Sequence, residues 1–169
     1  MLRTATCGEL TKDDQGKEVI LCGWVFRRRD HGKLIFIDVR DRYGIAQVVF
    51  IPKECGDSYK LATELRSEFV VQIKGIVNPR PKGTINPNLP TGEVEVLAKH
   101  LEVLGSSLVP PFELEDNANV TEEMRLQYRY LDLRRQNVLN KMILRHRFFQ
   151  TTRRLLDKEG FIEVDTPIL

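Results

Sequence analysis

The sequence predicts a mainly β domain of five strands, followed by a helical segment. Apolar, β-prone runs rich in Val, Ile and Phe are separated by breaks that contain Gly or Pro, and one segment of helical periodicity follows the third run. The charge pattern then changes near Gly105. From 105 to 123 the chain has five acidic residues and no Lys or Arg, whereas from 124 to 154 nine Lys and Arg residues accompany one acid, Asp132. We therefore place a domain boundary near Gly105.

The composition is typical of a globular domain and gives no indication of a zinc site, a disulfide framework or a membrane span. With 169 residues, of which 41% are hydrophobic and 30% charged, the chain can bury a sizeable core, and a net charge of +2 does not decide its partner. Cys7, Cys22 and Cys55 form no CxxC pair, so neither a zinc site nor a disulfide framework is indicated, and reduced thiols are expected. Because no apolar run reaches membrane length, we expect a cytoplasmic protein with no membrane partner.

The first three strands form a predicted meander. They are expected at 19–26, 34–39 and 45–51, where Val, Ile and Phe alternate with other residues. Gly23 inside the first strand indicates a bend or bulge. The first break, Arg27 to Lys33, is strongly basic and contains Gly32, which suits a tight turn.

The remaining elements complete a known order. Pro52 ends the third strand, a helix is expected at 58–66, a fourth strand at 69–77 and a fifth at 93–104, with a Pro-rich break at 78–92. Five strands with a helix between the third and fourth is the order of an OB-fold, a small Greek-key barrel. This fold binds oligonucleotides on strands two and three and with the one-to-two and four-to-five loops, here 27–33 and 78–92.

Basic and aromatic residues adjoin each other in this region. Guanidinium groups bind phosphates in a fork, and aromatic faces stack on unpaired bases. The residues concerned are Trp24, Phe26, Arg27, Arg28, Arg29, Lys33 and Phe36. The pattern favours a surface for single-stranded nucleic acid, although a solvated basic turn beside core aromatics would have the same sequence.

The last third of the chain is predicted to be mostly helical. Pro110 and Pro111 indicate a linker, and the Thr121–Glu123 stretch suits a helix start. A helix with one apolar face is expected at 136–158, ended by Gly160, followed by a strand at 161–169. Arg129, Arg134 and Arg135 are expected to pair with the preceding acidic block rather than with phosphate.

Several segments together resemble one family. GWVFRRRDHGKLIFIDVRDRYGIAQVVF, TGEVEV at 91–96 and RLQYRYLDLRR at 125–135 resemble the N-terminal part of class IIb aminoacyl-tRNA synthetases, most closely the bacterial-type aspartyl enzymes. GFIEVDTPIL resembles motif 1 of class II enzymes, which builds the dimer interface around a proline, here Pro167. The resemblance implies an anticodon-binding OB-fold at 1–105, a hinge at 106–135 and the beginning of a catalytic domain at 136–169.

The resemblance also implies an anticodon-binding site. Phe36 would stack on a base, Gln47 and Glu95 would recognise base edges, and the other members lie in the two loops. The implied residues are Arg28, Arg29, His31, Phe36, Gln47, Arg80, Gly83, Asn86 and Glu95. Some relatives have Arg and Asn where this chain has Asn78 and Thr84, so no contact is carried over to those two positions.

The implied function is recognition of the anticodon of tRNA-Asp. At His31 and Gly83 the chain resembles family members that charge both tRNA-Asp and tRNA-Asn. The resemblance therefore implies tRNA-Asn as a possible second partner. The full-length enzyme would be a homodimer that joins aspartate to tRNA with ATP and Mg²⁺. Motifs 2 and 3 do not occur in this sequence, so the chain is expected to bind tRNA without catalysis and without a cofactor of its own. A free-standing OB-fold module for single-stranded nucleic acid and a purely dimerising role are the alternatives.

Overall fold

The structure is a computed structural model that describes residues 2–167. The first part contains a 3-10 turn and five strands with two short helices between the third and fourth. Their bounds are Lys12–Asp14 for the turn, β1 Glu18–His31, β2 Leu34–Arg40, β3 Ile45–Phe50, α1 Pro52–Cys55, α2 Asp57–Glu64, β4 Val70–Pro79 and β5 Val94–Gly105. The chain divides into two compact units, Met1–Pro110 and Pro111–Leu169.

The five strands close into a barrel in the order β1-β2-β3-β5-β4. All neighbouring strands are antiparallel except β3 and β5, which run parallel and place Val48 beside Val96. β1 serves two neighbours, because residues 18–24 pair with β4 and residues 24–31 pair with β2. The predicted five-stranded OB-fold is confirmed, with two short helices between strands three and four where one helix was expected.

Gly23 lies next to Trp24, the residue at which β1 changes partner. A Cβ atom at Gly23 would lie 2.5 Å from the carbonyl oxygen of Arg40 and 2.8 Å from Cγ1 of Val39, so only glycine allows the two strands to approach here. The pairing of β1 with β2 shifts register between Val25 and Arg27, as a β-bulge does. β1 therefore contains a bulge, but it lies at residues 25–27 and not at Gly23, where the bend or bulge was predicted.

The core fills the barrel with the inward residues of each strand. Alternate residues of β2 are buried, so Ile35, Ile37 and Val39 face the core while Phe36 and Asp38 face outward. α2 contributes Ala62 to the core, and the Ser58 hydroxyl accepts a 3.0 Å hydrogen bond from the Leu101 amide. Alternation therefore decides which side chains remain available on the outer face.

The basic break after β1 differs from the prediction. Residues 27–31 continue β1, with Arg28 opposite Ile37 and Arg29 opposite Phe36, and only Gly32 and Lys33 form the turn. Gly32 has φ +62°, a value that glycine adopts without strain. The charged side chains are tolerated in this strand because the hairpin extends from the barrel and its residues are mostly exposed.

The described part of the second unit, residues 111–167, contains three helices, α3 Glu122–Gln127, α4 Arg129–Asp132 and α5 Gln136–Lys158. Thr121 caps α3, since its hydroxyl accepts the Met124 amide at 3.4 Å. Two of the three arginines expected to pair with the preceding acidic block, Arg129 and Arg135, form their ion pairs elsewhere. Arg129 and Arg135 contact the carboxylate of Asp132, and Asp116 receives Arg135 only through its backbone oxygen.

The residues that follow α5 agree only in part with the prediction. Gly160 follows α5 with φ +83°, as a left-handed helix cap does. The strand expected at 161–169 is not formed over 161–167, and residues 168 and 169 lie outside the described range. A strand needs a neighbour to bond its backbone groups, and Phe161–Pro167 has no such neighbour within residues 2–167. Over that same range no helix combines the length and the apolar character that a membrane crossing requires.

Candidate nucleic-acid interface

A cavity of about 640 Å³ lies on the outer face of β2, β3 and β5. Residues from the β1–β2 hairpin, the three strands and the segment after β4 line it: Arg29, His31, Leu34, Phe36, Gln47, Val49, Ile51, Arg80, Pro81, Thr84, Asn86 and Glu95. Its volume falls in the range of small-ligand sites, and it is open on one side, as a site for a base extruded from a single strand must be. Seven of the nine predicted anticodon-site residues line it.

One part of the cavity is apolar and aromatic. Phe36 stands opposite Val49 on β3, and the His31 ring meets the Phe36 ring edge-on, with centroids 5.7 Å apart and planes at 81°. Leu34 and Ile51 extend this surface. An aromatic ring held edge-on by a neighbour keeps one face for a flat ligand, so this part suits stacking of a base.

The other part is a chain of hydrogen bonds across four strands, β1, β2, β3 and β5. Nη2 of Arg29 donates to Oδ1 of Asp38 at 2.8 Å and to Oε1 of Gln47 at 3.2 Å. Nε2 of Gln47 in turn donates to Oε2 of Glu95 at 2.9 Å. Gln47 lies level with Glu95 because β3 and β5 pair in parallel, one residue before the Val48–Val96 pair. The amide of Gln47 is therefore held at both ends.

Arg80 closes this polar part from the segment after β4. Its Nε donates to the carbonyl oxygen of Val94 at 2.9 Å, and the side chain is largely buried. Burial lowers the pKa of Arg80, while the carboxylates of Glu95 and Asp38 act in the opposite direction. Its Nη2 is buried and has no hydrogen-bond partner within residues 2–167. A buried guanidinium N–H without a partner is costly, so a ligand acceptor reaching it would gain a strong bond.

Glu95 supplies an acceptor next to this guanidinium. Burial raises the pKa of Glu95, and the hydrogen bond from Gln47 and the charge of Arg80 oppose that shift. An ionised carboxylate has more acceptor positions than Gln47 occupies. Glu95 can therefore accept hydrogen bonds from a base that presents N–H donors, such as the N1 and N2 edge of guanine.

The segment after β4 forms hydrogen-bonded turns at the cavity rim. The Thr84 amide donates to the Pro81 oxygen, and Gly83 between them has φ +87° with open space around its Cα. Oδ1 of Asn86 accepts the Asn88 amide at 3.0 Å, which leaves the Asn86 side-chain N–H₂ to face a ligand. Asn86 and Thr84 line the cavity, whereas Gly83 does not.

Arg28 lies apart from the cavity. Consecutive residues of a strand point to opposite faces, so Arg28 and Arg29 diverge. Arg28 forms a forked ion pair with Asp30 and donates to the carbonyl oxygen of Thr63 at the end of α2. Its predicted contact with RNA therefore has to occur outside the cavity, on the α2 side of the hairpin.

The sequence did not predict the contact of Asp38 with Arg29 or the apolar residues that line the cavity. Asp38 contacts Arg29, and Leu34, Val49 and Ile51 line the aromatic part. The alternation of β2 places Asp38 on the same face as Phe36, so the strand pattern held a signal for it. The partnership with Arg29 depends on the continuation of β1 through the basic break, which the sequence pattern did not indicate.

Comparison with known proteins agrees with this geometry. Residues 19–104 match the family of the OB-fold nucleic acid binding domain, and residues 121–169 match class II tRNA synthetases (D, K and N). The chain is 53% identical over its full length to an aspartate–tRNA(Asp/Asn) ligase of Thermodesulfovibrio yellowstonii and 53% identical over 99% of its length to one of Halothermothrix orenii. It spans 28% of the length of each of these relatives.

A solved structure shows the same architecture. The asparaginyl-tRNA synthetase of Pyrococcus horikoshii superimposes with a TM-score of 0.84 at 31% identity, covering 99% of this chain and 38% of that one. The first family match extends over half of the residues and coincides with the barrel strands. The chain therefore belongs to the family of OB-fold nucleic acid binding domains, followed by the start of a class II tRNA synthetase domain.

Proposed function

We propose that this chain binds the anticodon of tRNA-Asp as the N-terminal region of an aspartate–tRNA ligase. The observation that carries the proposal is the cavity in which a stacking ring, Phe36, stands beside a held amide, Gln47, and a half-buried carboxylate, Glu95. The curated relatives have this activity in their names, and the chain corresponds to 28% of their length. The ligation of aspartate to tRNA is accordingly proposed for the longer protein.

The cavity chemistry suits the first two anticodon letters, G and U. Glu95 offers acceptors that guanine's N1 and N2 donors require, and Gln47 offers a donor and an acceptor side by side for uracil. Phe36 supports a splayed base, and the unpartnered Nη2 of Arg80 suits an oxygen of a base or phosphate. RNA is recognised in this way because loop bases expose their pairing edges once they are unstacked.

Equilibrium binding to an anticodon stem-loop tests the proposal. The chain should bind a GUC stem-loop more tightly than a mixed-sequence single strand of equal length, at a fixed salt concentration because phosphate contacts depend on salt. Equal affinity for the two RNAs would contradict anticodon recognition and favour a general single-strand-binding module instead.

We also propose that the third letter is weakly recognised, so that tRNA-Asn is accepted. The third letters are C and U, and the residues near the tips of the two loops are His31, which packs on Phe36, and Gly83, which has no side chain. The relatives named aspartate–tRNA(Asp/Asn) ligase support this choice. GUC and GUU stem-loops should bind within about tenfold, equivalent to about 1.4 kcal/mol. A larger preference for GUC would make the domain strict for tRNA-Asp.

ATP and Mg²⁺ are proposed for the longer protein only. Residues 2–167 contain no group of three or more His, Cys, Asp and Glu side chains placed to hold a metal ion, so no step through ATP or Mg²⁺ is assigned to them. The described residues form the cavity that is proposed above to bind RNA. Incubated with ATP, aspartate and tRNA, this chain should bind tRNA but produce no aspartyl-tRNA, whereas charging above a mock preparation would overturn this assignment.

A homodimer is proposed through α5 and the residues that follow it. Leu144, Phe148 and Leu155 of α5 and Phe161 and Ile162 after it are exposed apolar side chains. This stretch matches the class II tRNA synthetase family and resembles motif 1, which includes Pro167 and builds a dimer interface. A second copy of the same stretch is the proposed occupant. Sedimentation should show a concentration-dependent dimer that Phe148→Asp abolishes, and a monomer at every concentration would contradict the proposal.

A further inference from the structure

We propose that Asp38 is a positioning residue for base recognition, which holds the amide of Gln47 in one orientation through Arg29. The inference rests on the proposed anticodon binding and extends it to a residue outside the predicted site. Asp38 does not line the cavity; its carboxylate contacts Arg29, which does. Its side chain is only 13% exposed, so it belongs to the polar cluster of Arg29, Asp38, Gln47, Arg80 and Glu95 and does not project into bulk solvent.

The position of Asp38 follows from strand pairing. Asp38 lies directly opposite Gln47 on β3 and opposite Arg27 on β1, while Arg29 lies opposite Phe36, two residues along β2. Nη2 of Arg29 carries two hydrogens and gives one to Asp38 at 2.8 Å and one to Gln47 at 3.2 Å. The shorter, charge-assisted hydrogen bond to Asp38 fixes the position of the Arg29 guanidinium. Because the guanidinium is fixed, its second hydrogen bond holds the side-chain oxygen of Gln47 in one position.

Without Asp38, Arg29 would have another carboxylate within reach. Only the amide group of Gln47 separates Arg29 from Glu95, since Gln47 bonds the two at opposite ends. A guanidinium freed from Asp38 would be attracted to Glu95 and would displace Gln47 from between them. Asp38 therefore keeps Glu95 available for a base and keeps Gln47 in place.

The orientation of the amide decides which base it accepts. As held, Gln47 presents its oxygen on the Arg29 side and its N–H₂ on the Glu95 side. A reversed amide would set N–H₂ against the guanidinium and oxygen against the carboxylate, so both contacts would be repulsive. Uracil presents a donor at N3 and an acceptor at O4, whereas cytosine presents an acceptor at N3 and a donor at N4. An amide fixed in one orientation distinguishes them, whereas an amide that can reverse pairs with either.

The test compares stem-loops with GUC and GCC anticodons. For the wild-type chain we expect GUC to bind about five- to 150-fold more tightly than GCC, the discrimination expected of a bidentate contact to a base edge. Asp38→Asn keeps the side-chain shape but removes the charge. It should reduce this ratio at least about threefold by weakening GUC binding, while GCC binding stays the same or improves because a negative charge near RNA is lost.

The matched control is Asp30→Asn. Asp30 lies on the same hairpin and pairs with Arg28 at 2.7 Å, outside the cavity, so this variant removes the same charge without touching the Gln47 network. It should keep the wild-type ratio. Gln47→Ala provides the second comparison, because in that background Asp38→Asn should change the ratio no further.

The outcomes distinguish the proposed anticodon binding from the proposed role of Asp38. A wild-type chain that binds neither stem-loop better than a mixed-sequence strand contradicts the proposed function itself. A wild-type preference for GUC that persists in Asp38→Asn, or that Asp38→Asn also alters in the Gln47→Ala background, overturns the role of Asp38 alone. Should thermal unfolding show that Asp38→Asn does not fold, Arg29→Met removes the same link and must lower the ratio in its place.

Discussion

Replacing Phe36 by Leu separates a stacking role from a packing role. The ring lies on the outer face of β2, half-buried, with His31 edge-on at 5.7 Å. Stacking of a base on an aromatic ring contributes about 1–3 kcal/mol, so loss of the aromatic face should weaken stem-loop binding about five- to 150-fold. Leucine keeps most of the apolar contact with Val49, so we expect the free energy of unfolding to fall by less than about 1.5 kcal/mol.

Phe26→Leu is the matched comparison for this prediction. Phe26 is also a half-buried phenylalanine on the barrel exterior, but its ring lies under the Arg40 guanidinium at 5.2 Å and outside the cavity. Fluorescence anisotropy with a labelled GUC stem-loop should separate the two variants, since Phe36→Leu should lose affinity and Phe26→Leu should keep it, while urea unfolding checks that both remain folded. If Phe36→Leu lost stability and kept its affinity, Phe36 would be a packing residue and the stacking argument would fail.

Three further predictions concern stability, pH and salt. Glu68→Gln should cost roughly 3–5 kcal/mol in urea unfolding, because Arg40 donates to both oxygens of this buried carboxylate and would remain buried without it; a loss below about 1 kcal/mol would contradict this. Because the pKa of Glu95 is raised, the folded state holds a proton on this carboxyl at a pH where the unfolded chain has released it. The contribution of Glu95 to the free energy of unfolding should therefore fall as pH rises just above the ordinary glutamate range. Glu95→Gln should remove that pH dependence. Arg28→Gln should reduce the slope of log affinity against log salt by about 0.7 for every RNA sequence, and a loss that depends on the anticodon would assign Arg28 to base recognition.

The barrel could be predicted because its signals are local. Alternating apolar residues marked all five strands, and the third strand ended at Pro52, which begins α1. α5 was predicted with its observed bounds, since one apolar face runs from residue 136 to 158 and Gly160 ends it. Each of these features is decided by residues close in sequence, where period and turn chemistry act.

The interior of the site depends on pairing between distant residues. Gln47 meets Glu95 through the parallel register of β3 and β5, and Arg29 meets Asp38 because β1 continues through a basic segment with no apolar alternation. No local pattern encodes either register. Family resemblance implied that Gln47 and Glu95 recognise bases, but the contacts of Arg29 with Asp38 and Gln47 became visible only in the assembled strands.

Under the proposed function, charge distinguishes two regions of the RNA-binding surface. Inside the cluster the formal charges of Arg29 and Arg80 balance those of Asp38 and Glu95, so a ligand is selected by the order of donors and acceptors more than by net charge. On the hairpin around it, Lys33 at the turn is exposed and cationic, and cations at such positions attract phosphate without regard to sequence. Substitutions in the hairpin should therefore change affinity and its salt dependence, whereas substitutions in the cluster should change which anticodon is preferred.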